Sequence, residues 1–169
     1  PVGDEYLAIP SSEESQSLQA VTTLSDGSLV FLFRIDNTLY AQQMDSIGTP
    51  QGQIVEIKGY DNDDFYTVQN ISLTALHDGG FAATWIEGFE GLLHARVYDD
   101  QGQLVGNEIE IASSSSIGYA TSLVPLTDGG FILLWPGRNG SNYDIVGQKY
   151  NAQGEPIGNE IQVTTTSGI

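Results

Sequence analysis

Short runs of alternating apolar and polar residues fill most of the chain, and the same order of runs comes round three times. The first run of each cycle covers Leu18 to Leu24, Ile71 to Leu76 and Ser122 to Leu126. The second covers Leu29 to Phe33, Phe81 to Trp85 and Phe131 to Trp135. The third covers Leu39 to Met44, Leu93 to Tyr98 and Ile145 to Tyr150. The fourth covers Ile54 to Ile57, Glu108 to Ile111 and Glu160 to Val163. It alternates cleanly: Ile109 and Ile111 point one way, Glu108 and Glu110 the other. Valine, isoleucine, threonine and aromatic residues crowd these runs, and no window carries a helical period. Each run therefore reads as a β-strand.

Fixed markers confirm the period. Asp26-Gly27-Ser28-Leu29, Asp78-Gly79-Gly80-Phe81 and Asp128-Gly129-Gly130-Phe131 recur at spacings of 52 and 50 residues, each followed four positions on by Phe33, Trp85 or Trp135. Tyr40-Ala-Gln-Gln-Met44, His94-Ala-Arg-Val-Tyr98 and Val146-Gly-Gln-Lys-Tyr150 align and lead to paired glycines: Gly48 and Gly52, Gly102 and Gly106, Gly154 and Gly158. The Asp-Gly steps suit tight hairpins, because both residues tolerate positive φ. The units are residues 17–57, 69–111 and 119–163. Residues 1–9 form a strand of a preceding unit, since Pro1-Val-Gly-Asp-Glu-Tyr6 aligns with Pro156-Ile-Gly-Asn-Glu-Ile161. That spare strand points to a slice of a longer array, or to an edge that pairs with another chain.

These residues resemble the tandem repeats of very large secreted or surface bacterial proteins. Units of that kind read as Leu-x-Asp-Gly-Gly-Phe, a few apolar residues and Trp, then a Tyr-x-Gln-Arg-Phe-like segment and a glycine-paired turn. Units two and three match well. Unit one departs at Ser28, Leu29, Phe33 and Met44. The resemblance implies β-propeller-like blades, export by a one-step secretion route, and a role in adhesion or extracellular binding. The expected fold is all-β, with three tandem four-stranded antiparallel repeats as propeller-like blades. Three blades cannot close a propeller, which leaves a parent with more blades, a six-bladed ring of two copies, or, as the alternative fold, pseudo-threefold closure as in a β-trefoil or β-prism.

Composition narrows the partners. The 169 residues are 40% hydrophobic, enough for an ordinary core. Acidic residues number 22 against 5 basic ones, and the net charge of −17 repels nucleic acid and anionic membrane surfaces. The longest apolar run, Leu29 to Phe33, is far too short to span a bilayer. No signal-peptide pattern opens the chain. Cysteine is absent, which excludes disulfides and thiol chemistry and leans toward a bacterial origin.

Candidate binding residues fall in the connections that vary between units, where solvent-facing loops carry function on a fixed scaffold. The second-to-third-strand connection grows from Arg34–Thr38 to Ile86–Leu92 to Pro136–Asp144. Arg138, Asn139, Asn142, Tyr143 and Asp144 in the longest copy offer guanidinium, amide and phenol groups suited to sugar hydroxyls. Asp61, Asp63 and Asp64 form the densest acidic run, in the long connection Lys58–Asn70. Calcium is the cofactor they suit, though they lack the later Glu and central Gly of an EF-hand. Trp85 and Trp135 recur at one strand position, which favours core packing over a sugar platform. Asp26, Asp78 and Asp128 read as turn aspartates bonding nearby amides rather than catalytic carboxylates. The two histidines, His77 and His94, sit in no local triad or zinc motif.

The expected function is a non-catalytic repeat module of a secreted or surface bacterial protein, adhesive or structural, that binds a glycan or protein through its variable loops. Its other partners are further repeats or a second copy, joined by strand pairing. The alternatives are a lectin-like carbohydrate-binding module and a fragment of a propeller glycosidase. The latter requires a carboxyl pair across a cleft.

Overall fold

The computed structural model describes residues 15–59, 68–87, 92–112, 121–139 and 142–164. Twelve strands run through them, and no helix is present among the described residues. The first sheet comprises β1 (Gln16–Thr23), β2 (Leu29–Ile35), β3 (Thr38–Met44) and β4 (Pro50–Lys58). The second comprises β5 (Gln69–Ala75), β6 (Phe81–Glu87), β7 (Leu92–Tyr98) and β8 (Leu104–Ala112). The third comprises β9 (Ser122–Pro125), β10 (Phe131–Asn139), β11 (Asn142–Tyr150) and β12 (Pro156–Gln162). Each sheet is a four-stranded antiparallel meander in chain order, as the repeat predicts. Residues 1–9, expected as a strand of a preceding unit, lie outside the described residues.

Turn chemistry fixes the register. In every unit the amide after the first strand bonds across the Asp-Gly turn: Leu24 to Ser28, Leu76 to Gly80 and Leu126 to Gly130, each at 2.8 Å. The turn aspartates accept from the amide two residues on, at 2.9 Å for Asp26, 3.3 Å for Asp78 and 3.2 Å for Asp128. They serve the turn, as their position predicts. A Cβ on Gly80 or Gly130 would come within 2.1 or 2.2 Å of the carbonyl oxygen of Tyr98 or Tyr150. Glycine there lets the strands close, and it accompanies the stacked pairs Phe81–Tyr98 at 4.7 Å and Phe131–Tyr150 at 5.1 Å. Unit one carries Ser28 at this position and has Leu29 opposite Met44 instead of the ring pair.

The third-to-fourth-strand turns repeat as closely. Asp45 accepts from the amides of Ile47 and Thr49 at 3.0 and 2.7 Å, Asp99 from Gln101 and Gln103 at 3.0 and 2.7 Å, and Asn151 from Gln153 and Glu155 at 3.0 and 2.8 Å. Two expectations about the connections need correction. The second glycine of each pair, Gly52, Gly106 or Gly158, lies inside the fourth strand rather than in the turn. There it has positive φ and breaks the pairing register as a bulge. The expected loop Pro136–Asp144 is mostly strand, because β10 and β11 stay paired out to Asn139 and Asn142.

Three turn carboxylates are held below the usual 3.8: Asp26 by the Ser28 hydroxyl, Asp45 by the Thr49 amide and Asp128 by the Lys149 ammonium. Each binds a proton less readily folded than unfolded. Its contribution to stability is therefore present above 3.8 and lost as pH falls through the depressed value. Asn151 makes the same turn bonds without a charge, so Asp45→Asn should keep the turn. Urea melts at pH 5 and pH 3 should show a smaller acid loss for Asp45→Asn than for the parent; equal losses would contradict the assignment.

The sheets stack in series. Residues alternate between two faces of each sheet. On β6, Phe81, Ala83 and Trp85 join a core with Val30, Leu32, Leu39 and Ile57 of the first sheet. Ala82 and Ile86, on the opposite face, join a core with Phe131, Leu133 and Trp135 of the third. Each inter-sheet core thus pairs the aliphatic face of one sheet with the aromatic face of the next. Trp85 and Trp135 are core residues, as their recurrence predicts. The first strands lie side by side, β1 by β5 and β5 by β9, as innermost strands of propeller-like blades do. Serial stacking of separate meanders sets this fold apart from a trefoil.

Candidate functional site

The five residues expected to bind a ligand map to the tip of the β10–β11 hairpin, and the structure does not gather them on one surface. Backbone pairing sets Arg138 opposite Tyr143 and Asn139 opposite Asn142. The side chains of Arg138 and Asn139 fall outside the described residues. Asn142 and Tyr143 face solvent, Tyr143 with 55% of its surface exposed. Asp144 is 1% exposed and accepts a 2.7 Å hydrogen bond from Gln162 Nε2. The reason is the two-residue period: with Tyr143 turned outward on one face, Asp144 turns to the other, opposite Gly137. Asp144 therefore helps hold β12 on β11, and among the described side chains of the hairpin tip Asn142 and Tyr143 are open. The acidic run Asp61, Asp63 and Asp64 lies outside the described residues.

A second constellation was not anticipated. Glu87 ends β6, His94 and Arg96 stand two apart on β7, Glu108 lies on β8, and Lys58 ends β4 of the neighbouring sheet. Their heads meet at the junction of the first two sheets. Lys58 Nζ lies 3.0 Å from Glu87 Oε2 and 3.9 Å from Glu108 Oε1. His94 Nε2 lies 3.3 Å from Glu87 Oε2, and His94 Nδ1 lies 2.8 Å from Glu108 Oε1. Arg96 Nη2 reaches Glu108 Oε2 at 2.7 Å, and Arg96 Nη1 donates to the Ile57 carbonyl across the interface. The His94 side chain is 7% exposed and the other four about a quarter. Its ring stacks on Trp85 with centroids 5.7 Å apart, and the Arg96 guanidinium lies 5.7 Å from the same indole.

Repeat alignment holds the faint signal for this cluster. At the His94 position the other units carry Tyr40 and Val146, and at the Arg96 position Gln42 and Gln148. Those glutamines bond carbonyls of the bulged fourth strand, Gln42 to Gln51 and Gln148 to Ile157. Unit two replaces amide with guanidinium and turns the same strand position toward the neighbouring sheet.

Glu87, His94 and Glu108 place one ligand atom each within 4.8 Å of one another, the spacing of a metal site. The cation position between the two carboxylates is taken by the chain's own Lys58 ammonium. Two carboxylates face an ammonium and a guanidinium, so the charges balance without an ion. This arrangement ties two sheets together. Both carboxylates are bound to cations of the chain.

Two hollows lie among the described residues. One, of about 340 Å³, forms where the three Asp-Gly turns converge, between Leu24, Leu76 and Leu126 with Ser25, His77 and Thr127 at its mouth. The other, of about 440 Å³, is lined by Asp26, Asp45 and Asp100 with glutamines between them. Comparison with known protein families, with curated proteins and with solved structures finds no match.

Proposed function

We propose that this chain is a non-catalytic repeat module of a secreted or surface bacterial protein. It works as a packed β scaffold that holds variable hairpins and loops out for contact with a glycan or protein. The observation that carries this reading is where the charged chemistry goes. The ion-paired cluster that runs from Lys58 to Glu108 is charge-balanced and committed to a joint between sheets. The turn aspartates are committed to their turns. The parts that differ between units are the connections, and differing connections on a repeated scaffold suit recognition. The resemblance to bacterial surface repeats, the acidic surface and the absence of cysteine support the same setting.

The lectin-like variant of this reading gains support from Tyr143. An exposed phenol beside an exposed amide, Asn142, suits the apolar face and hydroxyls of a sugar ring. The test is a glycan array and a panel of surface proteins probed with the parent chain and with Tyr143→Ala. Binding that falls at least tenfold in the variant, with an unchanged melting temperature, is the expected result. Turnover of chromogenic glycosides that disappears in Glu87→Gln or Glu108→Gln would overturn the non-catalytic reading.

A further inference from the structure

We propose that the outer face of the third sheet docks a further sheet of this same repeat, which it receives through that sheet's aromatic face. Two such junctions are already present. The aliphatic face of the first sheet takes the aromatic face of the second, and the aliphatic face of the second takes the aromatic face of the third. The residues presented in those junctions, Val30 and Leu32 in one and Ala82 and Ile86 in the other, are at most 5% exposed. On the third sheet the same face carries Val124, Ile132, Leu134, Ile145, Ile157 and Ile161, assigned by strand register. Ile132 and Leu134 are half-buried, while Val124, Ile145, Ile157 and Ile161 expose 36–48% of their surface. Among the described side chains Lys149 is the charged residue of this face, and it is tied at 2.6 Å to Asp128. An open, nearly uncharged aliphatic sheet face on a chain of net charge −17 is the signature of an interface.

Continuity decides the occupant. The face repeats the surface that twice accepts a Phe-x-x-x-Trp strand paired with a Tyr strand. A second copy of this chain offers no fully open face of that kind. Its second and third aromatic faces lie inside its own cores, and on its first sheet Phe33 and Met44 are fully buried and Phe31 and Tyr40 half-buried. The occupant is therefore an additional unit with its aromatic face free. Tyr143 shares this face by register but stands at the hairpin tip, so the ligand contacts are read by glycan and protein binding and the docked sheet by unfolding.

The test is a chain lengthened by its own third unit, with residues 113–164 repeated after residue 164, compared with the parent. In stacked repeats each added junction raises the stability of the whole. The lengthened chain should unfold in one transition at a higher denaturant midpoint. Its added tryptophan should be shielded from iodide. Ile145→Lys in the original third unit should remove that gain and expose the added tryptophan, yet leave the parent's midpoint nearly unchanged. An added unit that melts separately, or never folds, with the parent midpoint unmoved, overturns the proposal. So does a parent chain that sediments as a dimer and becomes monomeric on Ile145→Lys, because the occupant is then a second copy.

Discussion

Trp85→Ala should lower the unfolding free energy by about 3–5 kcal/mol, the usual cost of deleting a fully buried indole. Trp85 is 0% exposed and lies on the aromatic face of the middle sheet, against the aliphatic face of the first. Its removal leaves a void that neither sheet can fill, because each is pinned by its own ladder and turns. It also takes away the surface on which His94 stacks and over which Arg96 lies. Guanidinium unfolding curves measure the loss. A cost below about 1 kcal/mol would show that Trp85 is not enclosed between sheets, since surface substitutions stay within about 0.5 kcal/mol.

Lys58→Met should cost about 1–3 kcal/mol, the penalty for leaving partly buried charged groups without their partner. The ammonium lies between Glu87 and Glu108, and methionine replaces its stem but not its charge. With the ammonium gone, Glu87, His94 and Glu108 keep their spacing of 4.8 Å or less, which suits a divalent ion. Micromolar zinc should therefore raise the melting temperature of Lys58→Met and leave the parent unmoved, because an ion stabilises only a folded state that binds it. A parent chain stabilised by zinc would contradict the account: the cluster would then be a metal site with Lys58 beside it.

The sheets were legible in the sequence because their determinants are local. Each turn lies directly between the apolar runs it joins, and the set is printed three times. Strand ends were less legible. Pro136, Gly137 and Asn139 look like loop residues, yet the pairing of β10 with β11 carries them as strand. The second glycines were misplaced for a related reason: positive φ serves a bulge as well as a turn. The ionic cluster was hidden because its members come from four strands of two sheets, Lys58 and Glu108 standing fifty positions apart. Asp144 shows the limit of reading a site from composition. Its type suits a sugar ligand, but alternation along the strand turns it inward.

The central claim is that consecutive units pack aliphatic face to aromatic face. Nuclear Overhauser contacts between methyl groups and aromatic rings test it most directly. Methyls of Val30, Leu32 and Ile57 should see the rings of Phe81 and Trp85, and methyls of Ile86 and Val97 those of Phe131 and Trp135, all across a separation of roughly one repeat. Spectra in which each ring contacts methyls of its own sheet alone would contradict it.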